Sequence, residues 1–187
     1  SVHNKISELE KSGILIRLKK GLYVVSPKKS GKLLSMELIA NHLYGPSYIS
    51  MESALRYYGL IPESVYITQS MTTKHSREFK NSLGKFEYTQ CTKEYFAIGI
   101  RHEIKDNTAF LIAQPEKALC DLIVNTPNLN MRFQKEILTY LEDNLRFDMD
   151  AFFKMDTNIF QQCALVGKKK STITNIIKII KKNVSTY

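Results

Sequence analysis

The chain has 187 residues, 43% apolar and 24% charged, with a formal net charge of +9. This composition excludes a disordered or collagen-like chain and leaves room for a real core, in one domain or in one large and one small. No apolar run reaches the ~18 residues a bilayer span needs, and no basic-then-apolar signal peptide opens the chain. Cys91, Cys120 and Cys163 and four scattered histidines form neither a disulfide framework nor a zinc pattern, so a cytoplasmic protein with no cofactor or metal is expected.

The charge is concentrated at the ends. Residues 1–33 hold eight Lys/Arg against Glu8 and Glu10, net +6. Residues 168–187 hold six lysines and no acid, again net +6, while residues 34–167 are net −3. A basic head and tail around a mildly acidic body point to a polyanion partner.

"SVHNKISELEKSG" predicts a helix with Val2, Ile6 and Leu9 on one face and Gly13 as its stop. The opposite face offers Ser1, His3 and Asn4, with Lys5 toward the flank. "LIRLKKGLYVV" then predicts a two-stranded ribbon. Ile16, Leu18 and Leu22 serve one face, Arg17 and Lys19 the other, and Lys20-Gly21 turns the chain. Helix, glycine and basic hairpin are the back half of a winged helix-turn-helix, whose last helix enters the major groove while the wing touches phosphates. Such a unit opens with two further helices that the sequence does not hold, so a partial unit is expected at about 1–30. A solvated helix and hairpin capping a larger domain has the same pattern.

"SPKKSGK", Ser26 to Lys32, reads as a linker. It would separate a DNA-binding region at 1–33 from an α+β domain at 34–187. Ser35 caps an expected helix ending at Tyr44, and Ser50 caps a second one within "YISMESALRYYGLIP". Caps suit these serines better than nucleophiles, since neither a histidine base nor a glycine elbow accompanies them. From Val65 to Ile112, "VYIT", "KFEYTQC", "EYFAIGI" and "TAFLIA" predict strands separated by polar "KHSREFKNSLG" and "RHEIKDN". Tyr88, Tyr95 and Phe96 are assigned to sheet packing rather than to base stacking. His75 and His102 have no partner pattern.

"QPEKALCDLIV" predicts a helix opened by Pro115, with Ala118, Leu119, Leu122 and Ile123 buried. Glu116, Lys117 and Asp121 form the one compact charged cluster. A metal-dependent nuclease site is conceivable there, but the usual Glu-x-Lys alternates along a strand, so structural pairing of Lys117 with Asp121 on an exposed face is expected instead. Further helices are predicted at Met131–Glu142, Met149–Met155, Ile159–Val166 and Ser171–Asn183. In the last, Ile173, Ile176, Ile177 and Ile180 dock the helix. Lys178, Lys181 and Lys182, with Lys168, Lys169 and Lys170 just before it, form either a solvated face or a second phosphate-contacting surface.

"SGILIRLKKGLYVV", "IANHLYGPSYISMESALRYYGLIPE" and "IAQPEKALCDLI", in this order, resemble the AbiEi-like proteins, antitoxins and transcriptional regulators of type IV toxin–antitoxin (abortive-infection) systems. The resemblance runs from about Gly13 to Val124. It implies a winged helix that binds operator DNA, with "SVHNKISELEKSG" as recognition helix and Arg17 to Gly21 as wing. It also implies a following domain that counters a nucleotidyltransferase-type toxin, generally without forming a stable complex. The expectation is therefore an α+β, non-enzymatic, DNA-binding autoregulator and antitoxin in phage defence. The alternatives are a nucleic-acid-processing enzyme using Glu116, Lys117 and Asp121, or a plain repressor with no toxin partner.

Overall fold

The computed structural model describes residues 1–64 and 67–185. Helix α1 (Val2–Lys11) starts at Ser1, whose hydroxyl accepts the Asn4 N–H. The chain then makes an antiparallel hairpin of β1 (Leu15–Lys19) and β2 (Leu22–Val25). Its two-residue turn places Gly21 at φ +80°, a conformation side chains resist. One register shift between Arg17 and Lys19 breaks the strict alternation expected of the ribbon. Leu18 is buried and Lys19 is half-buried, while Arg17 and Lys20 remain exposed.

The expected linker is not extended. Ser26 caps a helical turn, α2 (Pro27–Ser30), with Pro27 in its first turn, and Gly31 closes it in a left-handed conformation. Proline inside the start and glycine past the end are helix punctuation, which a small, polar, basic composition conceals. α3 (Met36–Leu43) follows as predicted, with the Ser35 hydroxyl accepting the Leu38 N–H. The helix expected after Ser50 is α4 (Met51–Tyr57), and the residues just before it, Ser47–Ile49, form a buried strand, β3.

The sheet is completed by β4 (Ile67–Thr72), β5 (Arg77–Asn81), β6 (Gly84–Gln90), β7 (Ile100–Lys105) and β8 (Thr108–Ala113). Its order is β5-β6-β4-β3-β8-β7. The central pair β3–β4 is antiparallel; β6 runs parallel to β4, β8 runs parallel to β3, and each outer strand pairs antiparallel with its neighbour. The Val65-Tyr66 half of the expected "VYIT" strand lies outside the described residues. Both segments expected to be polar separators are edge strands instead. β5 buries only Phe79 and β7 buries nothing, so neither shows an apolar alternation. The first half of "EYFAIGI" corrects in the other direction: Lys93–Phe96 is a helical turn, α5, capped by Thr92.

Helix α6 (Pro115–Asn125) packs against the sheet, α4 and α9. The four predicted apolar residues are buried, and Glu116, Lys117, Cys120 and Asp121 are buried with them. The C-terminal part holds α7 (Gln134–Thr139) running into a π-helical turn at Tyr140–Asn144, then α8 (Met149–Phe152), α9 (Thr157–Val166) and α10 (Lys170–Val184). α10 docks through Ile173, Ile176, Ile177 and Ile180 as predicted, with Thr172 and Ile179 also buried. The molecule is a mixed α/β protein with a six-stranded and a two-stranded sheet among the described residues. Among them, no helix is long and apolar enough to cross a membrane.

Candidate nucleic-acid interface

Three attachments fix the hairpin on the body. Leu18 enters the same apolar cluster as α6 and the sheet. The Asn81 amide of β5 donates to the Leu18 carbonyl (3.2 Å), and the Lys19 ammonium donates to the Leu43 carbonyl at the end of α3 (2.6 Å). Lys19 also lies over the Phe79 ring. Of the three cations expected at the wing, Lys19 is therefore held by the body, and Arg17 and Lys20 are left to face solvent. The register shift produces this division, and charge counting along the strand could not anticipate it.

Between the hairpin and the β5–β6 turn runs an open groove of about 540 Å³, lined among others by Arg17, Lys20, Lys80 and Ser82. Among its lining residues Glu10 is the one acid. On α1, Ser1, His3, Asn4 and Lys5 are all exposed, and no residue of the helix is buried. Ile6 and Leu9 are half-buried, while Val2 is 76% exposed. Sequence reasoning missed Lys80, because it sits in a segment assigned to a polar loop. Only the packing of the hairpin's β1 on β5, distant in sequence, brings Lys80 to this groove.

The second basic surface loses one member. The Lys169 ammonium donates to the carbonyls of Ile123 (2.7 Å), Thr126 (3.2 Å) and Leu129 (2.9 Å). It caps the C-terminal end of α6, where helix carbonyls lack partners of their own. Desolvation lowers the Lys169 pKa from its ordinary value. Lys168, Lys170, Lys178, Lys181 and Lys182 are exposed.

Glu116, Lys117 and Asp121 do not lie on an exposed face, and the expected ion pair between Lys117 and Asp121 does not form. Lys117 and Asp121 have no exposed surface, and Glu116 is 9% exposed. Their partners differ as well. Glu116 accepts the Asp156 N–H (2.9 Å) and so ties α6 to the start of α9. The Lys117 ammonium donates to the carbonyls of Tyr95 (2.5 Å) and Ile98 (2.7 Å) and lies against the rings of Tyr95 and Tyr48. Gly99, at φ +60°, permits this approach: a Cβ there would stand 2.9 Å from the Lys117 Cβ. Asp121 accepts from the hydroxyls of Ser50 (2.6 Å) and Tyr48 (2.9 Å). Ser50 is thus correctly located at a helix start but serves the carboxylate, making no side-chain cap. Burial raises the Asp121 carboxyl above its ordinary pKa, opposed by the Lys117 charge and the hydroxyl donors.

These groups join α6 to β3, α4 and α5, the arrangement of a buried polar scaffold. It is satisfied only in part, because Asp121 Oδ1 and the Tyr95 hydroxyl are buried there without a hydrogen-bond partner. Neither β3 nor the turn at α5 was legible in the sequence as a neighbour of α6. A separate cleft of about 410 Å³ lies beside this scaffold, lined in part by Cys91, Tyr95, Asn125 and Lys168. Burial pushes the Cys91 thiol up to about 11, so it stays protonated at neutral pH and is a poor nucleophile. Among the described residues no group of three or more His, Cys, Asp or Glu side chains is placed to hold a metal ion. No family model matches the sequence, and no characterised protein matches it.

Proposed function

We propose that this protein is a DNA-binding transcriptional autoregulator and the antitoxin of a type IV toxin–antitoxin system, countering a nucleotidyltransferase-type toxin. The observation that carries the DNA-binding part is the helix–glycine–hairpin order, with Arg17 and Lys20 exposed at a hairpin tip that Leu18, Lys19 and Asn81 hold fast. α1 then serves as recognition helix, presenting His3, Asn4 and Lys5, and the hairpin is the wing of a partial winged helix. Fastening the wing to the body reduces the ordering cost of binding. The antitoxin part rests on the resemblance carried by "SYISMESALRYYGLIPE" and "QPEKALCDL". The burial of Lys117 and Asp121 weighs against the enzyme alternative, because no substrate reaches either side chain in this packing.

The test uses the full chain and a labelled duplex carrying the promoter of its own operon. Arg17→Ala with Lys20→Ala weakens binding to every sequence and flattens the log–log salt dependence by about 0.9 for each phosphate no longer neutralised. Unchanged binding by this double variant removes the wing assignment. The antitoxin part is tested by growth rescue in cells expressing the neighbouring toxin, with this protein supplied from an unrelated promoter. Promoter binding without rescue leaves a plain repressor.

A further inference from the structure

We propose that the DNA footprint of this protein crosses from the hairpin onto the body, with Lys80 of the edge strand β5 contacting the same phosphate backbone as Arg17 and Lys20. The inference rests on the DNA-binding reading and extends it to a residue outside the wing.

The charge pattern of the β5–β6 ladder singles out this lysine. Glu78 stands opposite Glu87 across the ladder, and Lys80 stands opposite Lys85. Residues two apart share a face, so two acids and two lysines lie together there. Lys85 bonds both Glu78 (3.1 Å) and Glu87 (2.9 Å). Both carboxylates share this one ammonium, and Lys80 has no carboxylate within ion-pair distance among the described residues. Like charges directly opposite across a ladder are destabilising. Lys80 is the one of the four left outside an ion pair, and as an exposed lysine opposite another lysine its ammonium is free to meet a polyanion arriving from outside.

Placement gives the second argument. Lys80 lines the groove that Arg17 and Lys20 line from the other side, with the Ser82 hydroxyl at its end. Its chain neighbour Asn81 makes the bond to Leu18 that ties β5 to the hairpin. The cations on the two walls are consequently held at a fixed spacing. A duplex backbone presents phosphates in a regular track, and lysine, arginine and serine side chains are its usual donors. A flat acidic protein surface would meet Glu10 in the same groove, whereas a phosphate track can pass to one side of it.

The experiment measures binding of the full chain to a labelled mixed-sequence DNA duplex across a salt series, for the wild type, Lys80→Ala, Arg17→Ala and Lys105→Ala. Lys105 is exposed on β7, at the far edge of the sheet, and serves as the control. Lys80→Ala is expected to lower the salt slope by about 0.9, which is about eightfold in affinity at 0.1 M salt, and Lys105→Ala to leave both unchanged. The melting temperature of Lys80→Ala should stay close to that of the wild type, since Lys80 makes no ion pair within the fold.

A normal slope for Lys80→Ala beside a reduced slope for Arg17→Ala overturns the inference and leaves the wing reading standing. A wild type that binds the duplex without salt dependence overturns both. A preference for single-stranded RNA over the duplex, or a clear fall in melting temperature for Lys80→Ala, also overturns the inference: the first changes the partner, and the second makes Lys80 a structural residue.

Discussion

Residues 1–33 and 168–187 carry the same net charge of +6, yet α1 buries none of its residues, whereas α10 buries six. The two segments share lysine-rich composition and amphipathic spacing. They differ in what their apolar stripes meet. The isoleucines of α10 close the core against α7 and α9, so that helix is part of the body and its lysines are where a docked helix puts its polar residues. α1 touches chiefly β1, and its outward face is not fixed by any packing requirement. Net charge therefore locates a polyanion surface only after the lysines bound internally are subtracted. Lys19, Lys117 and Lys169 each give their ammonium to backbone carbonyls, which leaves Arg17, Lys20 and Lys80 as the cations gathered at one groove.

The contrast is broken most directly through stability. Ile176→Ala, at a side chain with no exposed surface, should cost about 2–5 kcal/mol through reduced burial and the cavity left behind. Ile6→Ala, at a half-buried position on α1, should cost less than about 1 kcal/mol. Urea midpoints of the two variants measure this. Equal losses would mean that α1 is as much a part of the cooperative unit as α10.

A smaller effect sharpens the comparison among the lysines. Lys169→Met keeps the aliphatic stem but leaves the carbonyls of Ile123, Thr126 and Leu129 without their donor. Hydrogen bonds to a charged group are worth about 1.5–3 kcal/mol, and a loss of that order is expected in denaturant unfolding. Lys182→Met, at an exposed position, should change stability by less than about 0.5 kcal/mol. If the two variants are indistinguishable, Lys169 is a solvated lysine and belongs back with the tail surface.

What could be read from the sequence follows the same division. α3, α6 and α10 were legible because each repeats apolar residues at helical spacing next to a recognisable start or stop, such as Ser35 or Pro115. β5 and β7 were not, since an edge strand exposed on most of its length carries no apolar period. The exposed cations of the hairpin were legible, but the withdrawal of Lys19 depends on a register shift and on Leu43, which is distant in sequence. The polar scaffold shows the deepest gap. Glu116, Lys117 and Asp121 read as a surface cluster because their partners, Ser50, Tyr48, Tyr95 and Ile98, come from other segments of the chain. Lys80 was invisible for the same reason, its neighbours in the groove belonging to the distant hairpin.

The smallest expected change in stability belongs to the residues on which sequence discrimination would depend. His3 and Asn4 are exposed on α1, and the local bond there runs from the Asn4 backbone N–H to the Ser1 hydroxyl. His3→Ala and Asn4→Ala remove only side-chain atoms facing solvent, so each should shift the unfolding free energy by less than about 0.5 kcal/mol. Base-edge contacts nevertheless carry about 1–3 kcal/mol of discrimination per well-formed pair, whereas phosphate contacts carry none directly. Asn in particular can make a bidentate contact with adenine in the major groove. Each variant should therefore narrow the affinity gap between the promoter duplex and a scrambled one while leaving the salt slope at the wild-type value. Arg17→Ala should do the reverse, lowering the slope and preserving the gap. A competition titration of the two duplexes at several salt concentrations separates these outcomes. If His3→Ala and Asn4→Ala lower the slope and preserve the gap, α1 lies along the backbone rather than in the groove, and its assignment as recognition helix is wrong.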